Sequence, residues 1–252
     1  MGFVAGMLGG LLAGLFGVGG GIILVPALGL LLGLGQQDAQ GVTLAVLLLP
    51  IGLPALLAYR RKVEIRWRLV GAMIGGFVVT VAPGAWAAND LDARQLRGIF
   101  AGFVVIVAVR MWRRGRGDAR SEPVAVPVRP SDWNGVWIGA LGGFLSGLLG
   151  VGGAVIMIPF LLGVMRLDQH EAQATTLAVM LPPVGLPGVL AYAHARHALP
   201  WVIMAWVAAG FLVGALAGAQ LAVRMHTRVL ARVFAVFLLG VAARLAWATL
   251  AG

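Results

Sequence analysis

The sequence predicts an all-α polytopic membrane protein built from two inverted repeats, and three observations lead to this fold class. Of the 252 residues, 60% are hydrophobic and only 11% are charged, whereas a soluble domain carries about a quarter charged residues. All nine acidic residues fall between apolar runs. The segment Gly9–Tyr59 recurs at Gly142–Tyr192, with an offset of 133 and no gap. A duplicated, broken hydrophobic unit is typical of pseudosymmetric transporters.

Segment lengths predict how each repeat crosses the membrane. A helix needs about 20 residues to span a ~30 Å hydrocarbon core, but the first two apolar runs of each repeat are shorter. The first would reach only about 21 Å at 1.5 Å per residue. We therefore expect each repeat to be a re-entrant helical hairpin plus three membrane spans. The runs are Phe3–Phe16, Ile22–Leu34, Ala39–Tyr59, Leu69–Ala88 and Leu96–Met111, then Val136–Leu149, Val155–Met165, Ala172–Tyr192, Trp201–Val223 and Val229–Ala248.

Loop charges predict that the two repeats, residues 1–112 and 133–252, are inverted. Residues 60–68 carry five basic side chains and the equivalent residues 193–201 carry one Arg. The next pair of loops has the opposite bias, since residues 224–232 carry three Arg and residues 89–97 balance two Arg with two Asp. Basic loops stay cytoplasmic. Equivalent loops then lie on opposite sides, and the charged, proline-bearing segment 113–132 is a cytoplasmic linker.

Composition excludes several classes of function. The chain has no cysteine, so disulfides, thiolate metal sites and cysteine nucleophiles are ruled out. The four His do not cluster in the runs, so we expect no enzyme activity, no metal and no cofactor. The net charge of +10 comes from loop residues beside the runs, which indicates contact with anionic lipid headgroups rather than nucleic acid. The N-terminus lacks a basic region, so it predicts a first membrane segment and no signal peptide. The oligomeric state is not readable.

Each hairpin carries a glycine-rich tip, Gly17–Gly21 in the first repeat and Gly150–Gly153 in the second. Lipid-exposed loop at that depth would leave backbone groups unpaired, so we expect the tips to be buried in protein or to line a wet cavity. Helices are expected to resume at Ile22 and Val155. A helix N-terminus that meets a glycine loop binds anions without Lys or Arg. The alternative is that these glycines only allow close helix packing.

Neutral polar residues follow each hairpin, in the segments DAQGVT and EAQATT. Their side chains could donate hydrogen bonds to anion oxygens without burying a charge. The alternative is helix capping by Asp38 and Glu171, together with interhelical hydrogen bonds. The candidate substrate-binding residues are Gly17, Gly19, Gly20, Gly21, Gln40, Thr43, Gly150, Gly152, Gly153, Ala154, Gln173, Thr175 and Thr176.

A second break, P-x-G-L-P, interrupts the third run of each repeat at Pro50–Pro54 and Pro183–Pro187. Proline removes a backbone donor, so the pattern predicts a kink in mid-span. The kink could be a gate hinge or a pocket wall, or it could serve packing alone. Tyr59 and Tyr192 end these runs, and we expect them to anchor at the membrane interface.

With these motifs the chain resembles the sulfite exporter TauE/SafE family of membrane permeases. The pattern G-x-x-x-G-L-x-G-V-G-G-G-x-x-x-V-P lies at Gly10–Pro26 and recurs with changes at Gly143–Pro159. A-x-x-T-x-L-A follows in full at Ala172–Ala178, and G-A-L-A-G-A-Q-L-A-x-R begins at Gly214. The resemblance implies transport of sulfite, thiosulfate or organosulfonates across a cell membrane, most simply the bacterial inner membrane.

The leading hypothesis is thus a secondary transporter for small sulfur-containing anions. It would work by alternating access, with the anion held at the two hairpin tips. A passive anion channel of the same architecture is the alternative, since glycine backbones also form channel filters. The partners expected are the anion and the lipid bilayer.

Overall fold

The computed structural model describes residues 1–16, 20–50, 53, 56, 63–115, 132–167, 169–195, 201–222, 236 and 238–243. All the regular elements in these ranges are α-helices, as the sequence predicts. Their bounds are α1 Gly2–Phe16, α2 Gly21–Leu32, α3 Gln36–Val46, α4 Trp67–Asp90, α5 Ala93–Gly115, α6 Asp132–Leu149, α7 Ala154–Gly163, α8 Gln169–Met180, α9 Leu186–Ala195 and α10 Trp201–Ala222.

Both hairpins form where the short apolar runs predict them, as α1–α2 and α6–α7. Each returning helix begins one residue earlier than expected, at Gly21 and at Ala154. The N-cap residue before each of them is a glycine, Gly20 or Gly153. Helix α5 continues to Gly115 and α6 starts at Asp132, so each helix includes residues at one end of the predicted linker 113–132.

The kink predicted in the third run is a complete break in the second repeat. In the second repeat α8 ends at Met180 and α9 begins at Leu186, so the run is two short helices. Pro182 and Pro183 lie in the gap, where they remove backbone donors and drive the preceding residue away from helical geometry. In the first repeat α3 ends at Val46, and most of the equivalent break lies outside the described residues.

By length and composition, two of the described helices are able to cross a membrane, Trp67–Asp90 and Trp201–Gly218. Trp67 and Trp86 are both more than half exposed on α4. They are 19 residues apart, about 28 Å along a helix, which is close to the thickness of the hydrocarbon core. Exposed Trp at this spacing is typical of side chains at the two membrane–water interfaces.

Each repeat packs a helix against a helix of the other repeat. Helix α1 of the first repeat packs on α10 of the second, where Gly6 and Gly10 lie against the backbone of Val207 and Phe211, and Gly210 lies against Phe3. A Cβ atom at any of these glycines would overlap backbone atoms of the partner helix. Small residues at such contacts allow membrane helices to approach closely.

The reciprocal contact joins α6 of the second repeat to α4 of the first. Gly139 lies against Met73 and Gly147 against Val81. Residue numbers rise together on both helices, so α4 and α6 run in the same direction. The same reasoning applies to α1 and α10.

Helix α3 runs opposite to α4 and α9. The Gln37 side-chain amide, at the start of α3, donates to the Leu91 carbonyl just beyond the end of α4, at 3.1 Å. Two turns further along α3, Leu44 meets Gly188 of α9, and Val81 of α4 contacts the same glycine. Helix α3 therefore lies between elements of both repeats, next to the second hairpin tip.

Candidate functional site

The two hairpin tips meet inside the protein. Gly20 and Gly21 are buried, and a Cβ atom on Gly21 would overlap the carbonyl group of Val151 in the other tip. Gly20 lies against the ring of Phe211. The prediction that the tips are buried in protein is confirmed for these residues, whereas Gly17 and Gly19 lie outside the described residues.

The second tip depends on two glycines with left-handed backbone. Gly150 has φ 68° and Gly152 has φ 73°, a region that side chains other than glycine rarely adopt. Gly150 rests on Gln40, so that a Cβ atom there would lie 2.7 Å from the Gln40 Cα. These two residues carry the chain from the end of α6 to the start of α7.

The helices that leave the tips, α2 and α7, begin without a side-chain cap. Neither Gly20 nor Gly153 has a side-chain capping bond, and the Gly153 carbonyl accepts the first helical N–H groups, from Ile156 and Met157. The first N–H groups of a helix have no intrahelical acceptor, and they carry the positive end of the helix dipole. The N-termini of α2 and α7 therefore create a positive electrostatic potential where the tips meet, and they do so without a basic side chain.

A small cavity adjoins the second tip. Its volume is about 20 Å³, enough for roughly one water molecule. Ser146 and Gly152 line it on the polar side, and its other walls come from α3, α4 and the break between α8 and α9. Those residues are Leu44, Leu47, Leu48, Phe77, Met180, Pro182, Val184 and Gly185.

The equivalent threonines of the two repeats have different surroundings. Thr43 and Thr176 are both buried, and the Thr176 hydroxyl donates to the Ala172 carbonyl at 2.8 Å. The Thr43 hydroxyl has no hydrogen-bond partner among the described residues. Thr175 is buried as well, and Gln173 is half-buried. Ala154, the first residue of α7, is half-buried at the tip.

Asp38 is not the N-cap residue of α3. The N-cap is Gly35, and α3 begins at Gln36. Asp38 and Glu171 instead lie in the first turns of α3 and α8, where a carboxylate interacts favourably with the helix dipole.

Tyr192 is a core residue, and the expectation that it anchors at the interface is wrong. Its side chain is 0% exposed. The hydroxyl donates to the Gly147 carbonyl at 2.8 Å and lies 3.0 Å from the Gln40 amide oxygen. Gly147 is in the last turn of α6, where carbonyls lack intrahelical donors. A buried tyrosine hydroxyl needs such a partner. Tyr59 lies outside the described residues.

Ser146 is a polar residue that the sequence interpretation missed. It is 0% exposed, and its hydroxyl has no partner within the part of the chain that the structure describes. The available signal was its position four residues before the glycine tip, inside a run that is otherwise apolar. Gln36 is similar, because its buried amide nitrogen also lacks a partner in that part of the chain.

Replacing Tyr192 by Phe is expected to destabilise the protein by about 1–3 kcal/mol, because a buried carbonyl and the Gln40 amide lose a partner. Thermal unfolding of the purified protein measures the loss. In the double variant with Gln40→Leu the two losses should be less than additive, since one unpaired group has been removed. Unchanged thermal stability in Tyr192→Phe would contradict the role of the hydroxyl.

Comparisons with known proteins point to membrane transporters. The family model described as sulfite exporter TauE/SafE matches residues 2–245. A probable membrane transporter protein of Methanocaldococcus jannaschii is 26% identical over 77% of this chain and 72% of its own length. The probable membrane transporter protein YunE of Bacillus subtilis is 25% identical over 94% of this chain and 93% of its own. No solved structure gives a significant match.

Proposed function

The chain belongs to the sulfite exporter TauE/SafE family of membrane transporters, and from this premise we propose that it carries small sulfur-containing anions across the membrane. The class comprises sulfite, thiosulfate and organosulfonates. The transporter is embedded in the bilayer, and the anion binds where the hairpin tips meet. The binding site opens first to one side of the membrane and then to the other.

One observation carries the binding site: the buried meeting of the two tips. The uncapped N-termini of α2 and α7 both begin there, with Gly21 against Val151. Their dipoles stabilise an anion without the desolvation cost of a buried Lys or Arg. The same device binds anionic substrates at broken helices near the bilayer midplane of other transporters.

The directions of the helices support inverted repeats. Helix α3 runs opposite to α4, and helix α6 runs with α4. Inversion requires the chain to reverse at the three-residue turn before α3 and at the first tip, so that α2 runs with α4 and α1 against it. The equivalent helices α1 and α6 are then opposed, and in this proposal the two hairpins enter from opposite sides. This agrees with the inversion that the loop charges predict.

The small size of the cavity supports a binding site whose walls must separate before the anion can enter. A volume of about 20 Å³ accepts roughly one water, and a sulfur oxyanion with three oxygens is larger. The anion therefore enters only when the walls separate. The cavity lies between α3 and the α8–α9 break, and the proline-interrupted segment is the natural hinge because it lacks continuous helical hydrogen bonds.

Flux measurements in proteoliposomes test this function. Radiolabelled sulfite and sulfoacetate are expected to enter with saturable kinetics and to show counterflow when the inside is preloaded with unlabelled anion. Conductance that does not saturate would favour a passive channel. Absence of flux with sulfite, thiosulfate and sulfoacetate would contradict the proposed substrate class.

A further inference from the structure

We infer that Ser146 is a specificity-determining residue, whose hydroxyl donates a hydrogen bond to an oxygen of the bound anion at the second hairpin tip. The inference rests on the proposed function and narrows it. It makes the site asymmetric, with the selecting groups on the second tip and on α3.

The Ser146 hydroxyl is buried and unpaired, which is unusual for a helical serine. Buried hydroxyls nearly always have a hydrogen-bond partner, commonly the carbonyl four residues earlier. Thr176 follows that rule, since it bonds to Ala172. Ser146 has no partner in the described ranges, and it lines the cavity together with Gly152. A donor held there is available to a ligand in the cavity.

The chemistry around Ser146 suits an anion with acceptor oxygens. Among the described residues that line the cavity, none carries a charged side chain. The N-terminus of α7 begins two residues after Gly152 and supplies backbone N–H groups and a positive dipole end. A hydroxyl added to these donors can engage a second oxygen of the same sulfite or sulfonate group. A ligand unable to accept this hydrogen bond leaves the hydroxyl buried and unpaired, and that penalty is the physical basis of selection.

Thr43 provides a second unpaired hydroxyl on the side facing this tip. On α3 it shares one helical face with Leu44 and Leu47, which line the cavity. It also lies three residues after Gln40, which Gly150 contacts. Its hydroxyl is buried without a partner in the described part of the molecule.

The first repeat offers no equivalent of Ser146. The residue that corresponds to Ser146 there is Ala13, and the first tip is packed against the Phe211 ring at Gly20. In the second repeat, the counterpart of Thr43 already uses its hydroxyl within its own helix. Sequence symmetry therefore does not produce a symmetric site. The unpaired hydroxyls belong to Ser146 and Thr43.

The variant Ser146→Ala distinguishes a hydroxyl that donates a hydrogen bond to the anion from one that only stabilises the fold. We expect its KM for the best-transported sulfur anion to rise about 10- to 100-fold, the usual effect of losing a hydrogen bond to a charged group. The thermal midpoint of the protein without anion is expected to stay the same or to rise, because a buried unpaired hydroxyl has been removed. The matched control is Thr80→Val. The Thr80 hydroxyl already donates to the Ala140 carbonyl at 2.6 Å, and Thr80 is not among the described residues that line the cavity, so the KM of this variant should not change.

The outcomes are distinct. Wild-type flux with an unchanged KM in Ser146→Ala would overturn the inference and leave the proposed function standing. A lower thermal midpoint with unchanged KM would assign Ser146 a packing role and overturn it as well. Absence of wild-type flux would overturn the proposed function and the inference with it. If Ser146→Ala does not reach the membrane, Ser146→Cys replaces it, because its weak thiol donor should raise KM in the same direction.

Discussion

Gly21→Ala is expected to abolish transport and to lower the stability of the protein by about 3 kcal/mol or more. The added methyl group would overlap the Val151 carbonyl of the opposite tip. That neighbour is backbone, which cannot rotate away as a flexible side chain would. The two tips would have to separate, and the N-termini of α2 and α7 would no longer converge.

Gly29→Ala is the matched control on the same helix. Its Cβ atom would find only the Leu34 carbonyl oxygen, at 3.7 Å, and alanine is favoured over glycine inside a helix by about 1 kcal/mol. We expect normal flux and an equal or higher thermal midpoint for this variant. If Gly21→Ala behaved in the same way as Gly29→Ala, the meeting of the tips would have no importance for the fold or for transport.

A disulfide between the segment just after α3 and the α8–α9 break is expected to arrest transport completely and reversibly. The pair Leu48→Cys and Gly185→Cys suits this test, because a Cβ atom on Gly185 would lie 3.4 Å from the Leu48 Cδ2 atom, so the two positions face each other. Both residues line the cavity, so the bond would fix its walls at a size that excludes the anion. The natural chain has no cysteine, and every disulfide that forms is the engineered one.

The control crosslink joins two helices that we expect to move together. In Ala72→Cys and Gly135→Cys the Cβ atoms would be about 3.2 Å apart across the glycine-lined contact of α4 and α6, close to disulfide geometry. Oxidation of this pair should leave flux intact. Equal flux before and after oxidation of the Leu48→Cys and Gly185→Cys pair would contradict a cavity that opens. Recovery with a reducing agent shows that the disulfide itself caused the arrest.

Local patterns predicted the hairpins, because run length and glycine content are properties of single segments. The break at Pro183–Pro187 was equally visible, since proline acts on its own helix. Its extent was underestimated, because the tandem Pro182 and Pro183 end one helix and delay the next to Leu186.

Contacts between distant segments could not be predicted. Glycines recur every four residues on α1 and α6, which indicates close packing but does not identify the partner helices α10 and α4. Thr43 and Thr176 are equivalent in sequence, and only their three-dimensional neighbours make one hydroxyl paired and the other unpaired. Tyr192 was misplaced for the same reason: an aromatic residue at the end of an apolar run suits the interface and the core alike.

The position of the anion at the hairpin tips is tested by asking whether a bound anion protects a single engineered thiol there from chemical labelling. Ser146→Cys places the only cysteine of the chain at the cavity, where N-ethylmaleimide can label it whenever the walls separate. Sulfoacetate serves as the protecting anion, because sulfite itself reacts with maleimides. A cysteine at Gln95, exposed in the first turn of α5, is the control. We expect slower labelling of Ser146→Cys with sulfoacetate, no effect of chloride at the same ionic strength, and no change at Gln95→Cys. An unchanged labelling rate at Ser146→Cys, in protein that still transports sulfoacetate, would contradict this position of the anion.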